Sequence, residues 1–178
     1  MKKAIFLDRD GTINIDNGYV YRREDFQYIP GVVDALRELQ QMGYLLIIAT
    51  NQSGIARGYF TEEQYLEFQK WIVDDLKEKG VLISKTYYCP HLPNGKIDKY
   101  SIECNCRKPK TELFRRAQKE FDISLKDSFV IGDKTRDLSL TKESDIKGIL
   151  FGGQIDSKYK CCKNWVEVLD YIRLLNNE

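Results

Sequence analysis

Ala4-Ile5-Phe6-Leu7-Asp8-Arg9-Asp10-Gly11-Thr12 is a run of four apolar residues that stops on two carboxylates and a glycine. A short continuous apolar run bounded by turn formers suits a strand buried on both faces, as in a parallel sheet. Residues i and i+2 of an extended chain point the same way, so Asp8 and Asp10 can face one ligand. Gly11 lets the backbone turn sharply and approach an oxyanion closely. In open α/β sheets ligands bind outside the carboxyl ends of the strands, which is where this pair falls.

Outward from this stretch, apolar runs alternate with helical periodicity. Pro30-Gly31 opens a helix carrying Val33, Leu36 and Leu39 and closed by Gly43; Tyr44–Ala49 is a second buried run. Thr61 with Gln64 three residues on forms a capping box ahead of a Tyr65, Phe68, Ile72, Leu76 stripe. A strand is expected at Ile83–Tyr88 and a helix at Leu113, Phe114, Ala117 and Phe121. Further strands are expected at Ser128–Ile131 and Gly148–Phe151, and a last helix opens at Asn164 and carries Val168, Leu169, Ile172 and Leu175. This alternation predicts an α/β fold with a doubly wound, mostly parallel sheet. At 178 residues, a single domain over 1–178 is expected.

The composition is that of an ordinary soluble globular chain, 42% hydrophobic and 31% charged. Lys and Arg total 28 against 27 Asp and Glu, so no strong field recruits nucleic acid or an anionic membrane. No apolar run approaches the roughly 18 residues of a membrane span. The basic Met1-Lys2-Lys3 start is followed by only four apolar residues, short of the roughly 7–15 of a signal-peptide core. A cytoplasmic location is expected, and a monomer.

Two carboxylates side by side repel unless a divalent cation relieves them, and Mg²⁺ takes one or two carboxylates plus phosphate oxygens. A carboxylate can also attack phosphorus, while a second one handles the protons. A bare Asp-x-Asp is equally what a solvated strand-end turn looks like; three other segments decide. Thr50-Asn51-Gln52-Ser53-Gly54 follows the second strand with hydroxyls, amides and free N–H groups suited to phosphate. Arg107-Lys108-Pro109 precedes a helix and offers a cation and a guanidinium fork. Gly132-Asp133-Lys134 ends the fourth strand with a further carboxylate. Together they supply a nucleophile, an acid/base, a hydroxyl, a cation and a metal ligand.

Residues 89–110 lack periodicity and hold three of the five cysteines and the one histidine. Cys89-Pro90-His91 and Cys104-Asn105-Cys106 lie twelve residues apart. Three thiolates and an imidazole make a complete tetrahedral Zn²⁺ set without an open position, so a structural zinc loop at 89–106 is expected, holding Arg107 and Lys108 in place. Cys161-Cys162 is assigned no chemistry, with Cys162 read as a packing residue.

The ordered set Asp8-x-Asp10-Gly11-Thr12, Thr50-Asn51, Lys108 and Gly132-Asp133 resembles the four motifs of the haloacid dehalogenase (HAD) phosphohydrolase superfamily. The resemblance implies Asp8 as nucleophile, Asp10 as general acid/base, and Thr50 and Lys108 as phosphoryl stabilisers. It implies Mg²⁺ on Asp8, Asp133 and the backbone carbonyl of Asp10. Gly18-Tyr19-Val20, Ile55-Ala56-Arg57-Gly58, Tyr87–His91 and the twelve-residue gap are similar to the D-glycero-D-manno-heptose 1,7-bisphosphate 7-phosphatase family. That implies a small phosphosugar substrate touched by Asp16, Asn17, Gly18, Tyr19, Thr50, Asn51, Gln52, Ser53, Arg107, Lys108 and Lys134. No separate large cap domain is expected to fit in 178 residues, so short loops and the zinc loop would close the site. Histidinol-phosphate phosphatases are similar but have a shorter gap, another small sugar-phosphate phosphatase is a further alternative, and a DNA 3′-phosphatase is a more distant one disfavoured by the near-neutral charge. A non-catalytic zinc-containing module that binds a phosphorylated ligand is the alternative of another class, against which the intact set Asp8, Asp10, Lys108 and Asp133 argues. The chain departs from the family at Lys110-Thr111-Glu112-Leu113 and in the bulkier Leu138–Glu143 segment.

Overall fold

The computed structural model describes residues 1–177. One sheet of six parallel strands runs through it: β1 (Ala4–Leu7), β2 (Leu45–Asn51), β3 (Ile83–Cys89), β4 (Phe129–Gly132), β5 (Lys147–Phe151) and β6 (Lys160–Cys162). Their spatial order is β3-β2-β1-β4-β5-β6, the doubly wound order that reverses direction between β1 and β4. The helices are α1 (Val32–Gln41), α2 (Glu62–Glu78), α3 (Glu112–Phe121) and α4 (Trp165–Asn176).

Strand alternation sorts the core into two layers. Ile5 and Leu7 of β1 join Leu46, Ile48, Ile131 and the apolar faces of α1, α2 and α4. Ala4 and Phe6 join Ile47, Ala49, Val130 and α3 on the opposite side. A sheet covered on both faces has no solvated side, which is why β1 and β2 read as unbroken apolar runs.

The α1 face is set by Val32, Ala35, Leu36 and Leu39, with Val33 only half-buried, a one-residue rotation from expectation. The Thr61 capping box forms: its hydroxyl accepts from Gln64 N–H at 3.1 Å, and Gln64 Oε1 accepts from Thr61 N–H at 2.8 Å. Besides three short 3-10 turns, two unforeseen elements shape the core. β6 is three residues long and centres on Cys161-Cys162, placing Cys162 in the core beside Trp165. Residues Thr135–Lys142 wind as a 3-10 helix that buries Leu138 and Leu140, which accounts for the bulk of that segment. Among the described residues no helix is long and apolar enough to cross a membrane, and no cap domain stands over the sheet.

Candidate active site and metal-ligating loop

β1 and β4, the strands flanking the reversal of the sheet, deliver Asp8 and Asp133 from their carboxyl ends. Asp8 N–H donates to Ile131 carbonyl at 3.0 Å, locking the two strand ends together. Lys108 Nζ donates to Asp8 Oδ1 at 2.8 Å and to the Ala49 carbonyl at 2.7 Å, and contacts Asp137 Oδ1 at 2.8 Å. Its side chain is only 1% exposed. Burial pulls the ammonium toward neutrality, but Asp8 and Asp137 outweigh it and hold its pKa above the usual lysine value.

Asp8 is pushed up to about 7, by burial first and then by Asp137, with Lys108 opposing. Asp133 rises to about 6, again from burial and then Asp137. The carboxylates of Asp8, Asp133 and Asp137 come within 4.8 Å of one another. Asp133 Oδ1 is buried without a hydrogen-bond partner. Crowded, partly orphaned carboxylate oxygens are the environment a hard divalent cation relieves, so the residues fit Mg²⁺.

Asp137 is the one carboxylate of this cluster that the sequence reading passed over. It lies four residues beyond Asp133, in the first turn of the 3-10 helix, and its carboxylate comes within 4.8 Å of those of Asp8 and Asp133. Lys134 N–H donates to Asp137 Oδ2 at 3.0 Å, fixing it inward.

Asp10 is held differently. Its Oδ1 accepts from Arg9 Nη2 at 2.9 Å and Asn14 Nδ2 at 3.0 Å, and its Oδ2 from Gln52 Nε2 at 3.1 Å. Arg9, fully buried, is itself anchored by the Val20 carbonyl at 2.7 Å. Gly11 turns at φ 85°, and a Cβ there would stand 2.3 Å from Asp133 Oδ2. Gly11→Ala is therefore expected to displace Asp133 and lower activity by about 100-fold, the effect of an ångström-scale misplacement. Its Mg²⁺ requirement should rise in parallel; a metal titration of phosphate release checks both.

Above this floor opens a cavity of about 270 Å³, lined by Asp8, Asp10, Asp16, Gly18, Tyr19, Asn51, Gln52, Ser53, Arg107 and Lys134 from the sequence-derived set. Arg57, Arg136 and Asp137 line it as well. Three expected residues do not line the cavity itself. Thr50 is buried beneath the floor, where its hydroxyl accepts from Gln52 Nε2 at 3.0 Å. Lys108 lies under Asp8, and Asn17 faces a neighbouring surface groove. Asn51 ties strand to loop: its Nδ2 donates to Lys108 carbonyl at 3.0 Å and its Oδ1 accepts from Lys108 N–H at 2.9 Å.

The loop between β3 and α3 brings Cys89, His91, Cys104 and Cys106 together, all four donor atoms within 4.8 Å. Cys89 Sγ lies 3.6 Å from both His91 Nδ1 and Cys104 Sγ, and Cys106 Sγ lies 3.3 Å from His91 Nδ1. Metal–ligand bonds of about 2.0–2.3 Å in a tetrahedron give edges of roughly 3.3–3.8 Å, so the residues fit Zn²⁺. Burial, then the neighbouring thiol of Cys106, pushes the Cys89 thiol up, a cost that metal binding would remove. Tyr88 and Tyr100 hydroxyls both donate to Glu62 at 2.7 Å, pinning this loop to the first turn of α2.

The chain matches the Polynucleotide kinase 3 phosphatase family over residues 3–161. It is 51% identical to the D-glycero-beta-D-manno-heptose-1,7-bisphosphate 7-phosphatase of Pasteurella multocida over 83% of this chain and 79% of that one. The enzyme of the same name from Yersinia pestis is 43% identical over 92% of this chain and 88% of its own. The crystal structure of D,D-heptose 1,7-bisphosphate phosphatase from B. bronchiseptica, complexed with magnesium and phosphate, superposes with a TM-score of 0.82 at 27% identity, covering 99% of both chains. A phospho-aspartyl intermediate analogue of phosphoserine phosphatase, at 16% identity and a TM-score of 0.66, shares the fold. The chain belongs to the Polynucleotide kinase 3 phosphatase family of the HAD superfamily and, among its members, to the D-glycero-D-manno-heptose 1,7-bisphosphate 7-phosphatase family.

Proposed function

We propose that the chain hydrolyses the C7 phosphate of D-glycero-D-manno-heptose 1,7-bisphosphate through an aspartyl-phosphate on Asp8. The observation that carries this reading is Asp8 itself, a carboxylate at the floor of the cavity with Lys108 buried against its Oδ1. Its Oδ2 accepts no hydrogen bond among the described residues and is the oxygen free to attack phosphorus. As the Asp8–phosphorus bond forms, the bond to the sugar oxygen breaks, and Asp10 gives that oxygen a proton. Asp10 then takes a proton from the water that cleaves the aspartyl-phosphate. Arg9, Asn14 and Gln52 keep the carboxylate aimed for both transfers.

Mg²⁺, held by Asp8, Asp133 and the Asp10 carbonyl with Asp137 alongside, would neutralise charge on the transferring phosphoryl group. Lys108 adds a fixed cation that needs no reorganisation during the reaction. Thr50, whose hydroxyl also accepts from Gln52 Nε2, stabilises the transferring phosphoryl group together with Lys108. Asp16, Gly18, Tyr19, Asn51, Ser53, Arg107 and Lys134 surround the sugar, with Asn17 shaping the loop that carries them. Zn²⁺ would hold the loop that fixes Arg107 and Lys108. We place this chemistry in the cytoplasm, on one domain acting as a monomer, in the supply of nucleotide-activated heptose for surface glycans.

The family match at residues 3–161 favours a second reading, a polynucleotide 3′-phosphate as substrate. With 28 basic against 27 acidic residues, the chain lacks the excess charge that drives duplex binding. Turnover of heptose 1,7-bisphosphate, histidinol phosphate and a 3′-phosphorylated oligonucleotide with Mg²⁺ decides. The heptose is expected to lead in kcat/KM by about 100-fold or more; preference for either of the others overturns the substrate assignment.

A further inference from the structure

The acid/base carboxylate is gripped from the interior of the protein. Arg9 Nη2 donates to Asp10 Oδ1 at 2.9 Å and to Oδ2 at 3.1 Å, and Arg9 Nε donates to Oδ1 at 3.2 Å, so one edge of the guanidinium holds both carboxylate oxygens. Arg9 is fully buried. Three residues of α2 hold the guanidinium in turn. The ring centres of Tyr65 and Phe68 stand 5.9 and 5.3 Å from its Cζ, and Gln69 Oε1 accepts from Nη1 at 3.3 Å. Positions i, i+3 and i+4 share one side of a helix, so α2 presents all three together.

Among the described residues, Gln69 is the one hydrogen-bond acceptor of Arg9 Nη1. Gln69 is itself buried, and its Nε2 donates to Thr86 Oγ1 on β3 at 3.3 Å. Contacts therefore run from Thr86 through Gln69 and Arg9 to Asp10, from the sheet by way of α2 to the cavity floor. Packing alone gives no reason for such a chain. Taking a guanidinium out of water is costly, and a buried ion pair often stabilises no more than apolar residues of the same volume. What a planar fork supplies, and an apolar side chain cannot, is a fixed direction for a carboxylate. The fork aims Asp10 only while its own plane is fixed. The Val20 carbonyl fixes it at Nη2 and Gln69 at Nη1.

We propose that Gln69, with Thr86 behind it, is a positioning residue for the reaction: through Arg9 it fixes the direction in which Asp10 passes a proton to the sugar oxygen. The proposal rests on the assignment of Asp10 as general acid above. It adds a residue 60 positions from Arg9 in sequence that does not line the cavity. Loosening the fork leaves Asp8, Lys108 and Asp133 in place, because none of them hydrogen-bonds Gln69. The proton transfer to a sugar alkoxide suffers; a leaving group that departs without a proton is spared.

The test compares two leaving groups in Gln69→Met protein with Mg²⁺, each followed through a single turnover. Met fills the volume of Gln and offers Arg9 only a weak acceptor. Release of heptose 1-phosphate from heptose 1,7-bisphosphate needs the proton of Asp10 and is expected to slow about 10-fold, the effect of losing one charge-assisted contact. Release of p-nitrophenolate from p-nitrophenyl phosphate needs no proton and is expected to stay within about twofold of the parent. Thr86→Val keeps the Gln69 acceptor and removes only its anchor, so the sugar alone is expected to slow about threefold. That variant decides if Gln69→Met does not fold. A merely structural role slows both leaving groups together; that result, or unchanged rates for both in folded protein, overturns the proposal. Asp10→Asn separates this outcome from failure of the reading beneath it, and is expected to show the same split at about 100-fold or more. A split in Asp10→Asn with none in Gln69→Met overturns the positioning role alone. No split in either overturns the acid assignment as well. If the parent turns over fructose 1,6-bisphosphate and not the heptose, the substrate assignment falls, and the same split against p-nitrophenyl phosphate is expected with the fructose ester.

Discussion

Asp8→Asn is expected to lower kcat by about 10⁴-fold or more, the scale on which loss of a covalent nucleophile acts, while leaving the fold and zinc content intact. Asn is isosteric and retains a carbonyl oxygen for Lys108, which also keeps the Ala49 carbonyl and Asp137. The substitution also removes one of three crowded carboxylates, so the metal-free variant should melt no lower than the parent. A site tuned for catalysis carries such repulsion as a stability cost.

The pH dependence follows from the same residues. Asp8 at about 7 and Asp133 at about 6 both lie above the ordinary 3.8, so folding favours their protonated forms. The stability this contributes is full below about pH 4 and is lost as pH rises through about 6 and 7. Metal-free protein should therefore lose thermal stability between pH 4 and 7. Asp8→Asn should flatten that slope, and Mg²⁺ should reverse it by occupying the ionised carboxylates. Melting curves with and without chelator across this range provide the check.

Loss of zinc is the second large effect. Cys104→Ser, or strong chelation, is expected to cost about 3–5 kcal/mol and to lower Tm by about 10 °C. That is less than the roughly 10–16 kcal/mol of an isolated zinc module, because the sheet has its own two-layered core. Activity should fall further than stability. Lys108 reaches Asp8 from a loop whose regular structure, between β3 and α3, is one short 3-10 helix at Asp98–Tyr100. With the clamp open, the Asn51 amide and the Glu62–tyrosine contacts are left to hold it. Metal analysis should return one zinc per chain from the parent and none from the variant; a zinc-free parent of unchanged Tm would sink the assignment.

What the sequence disclosed, and what it withheld, divides along physical lines. Ala4–Leu7 and Tyr44–Ala49 were legible because a strand buried on both faces has no polar residues to confuse its reading. Asp8, Asp10, Lys108 and Asp133 were legible because each follows a strand end or precedes a helix, and such ends converge at the reversal of a doubly wound sheet. Cys89, His91, Cys104 and Cys106 stood out by residue type against a stretch without periodicity. Asp137 was missed because it looks like any helical aspartate until the turn after Asp133 brings it to Lys108. Arg9 was missed because a buried arginine is rare, and nothing local foretells its partner at Val20. Arg57 and Arg136 stand 79 residues apart in sequence, and only the fold brings them to one cavity. β6, at three residues, is too short for any period, and only its pairing with β5 makes it a strand.

The most direct test of the central claim is acid quench of the Mg²⁺-loaded enzyme within a single turnover of heptose 1,7-bisphosphate, followed by mass analysis of the peptide spanning Asp8. A phosphoryl group on Asp8, absent from the Asp8→Asn variant, is the expected result. Phosphate release at full rate with no adduct on Asp8, or with the adduct on another residue, would contradict it.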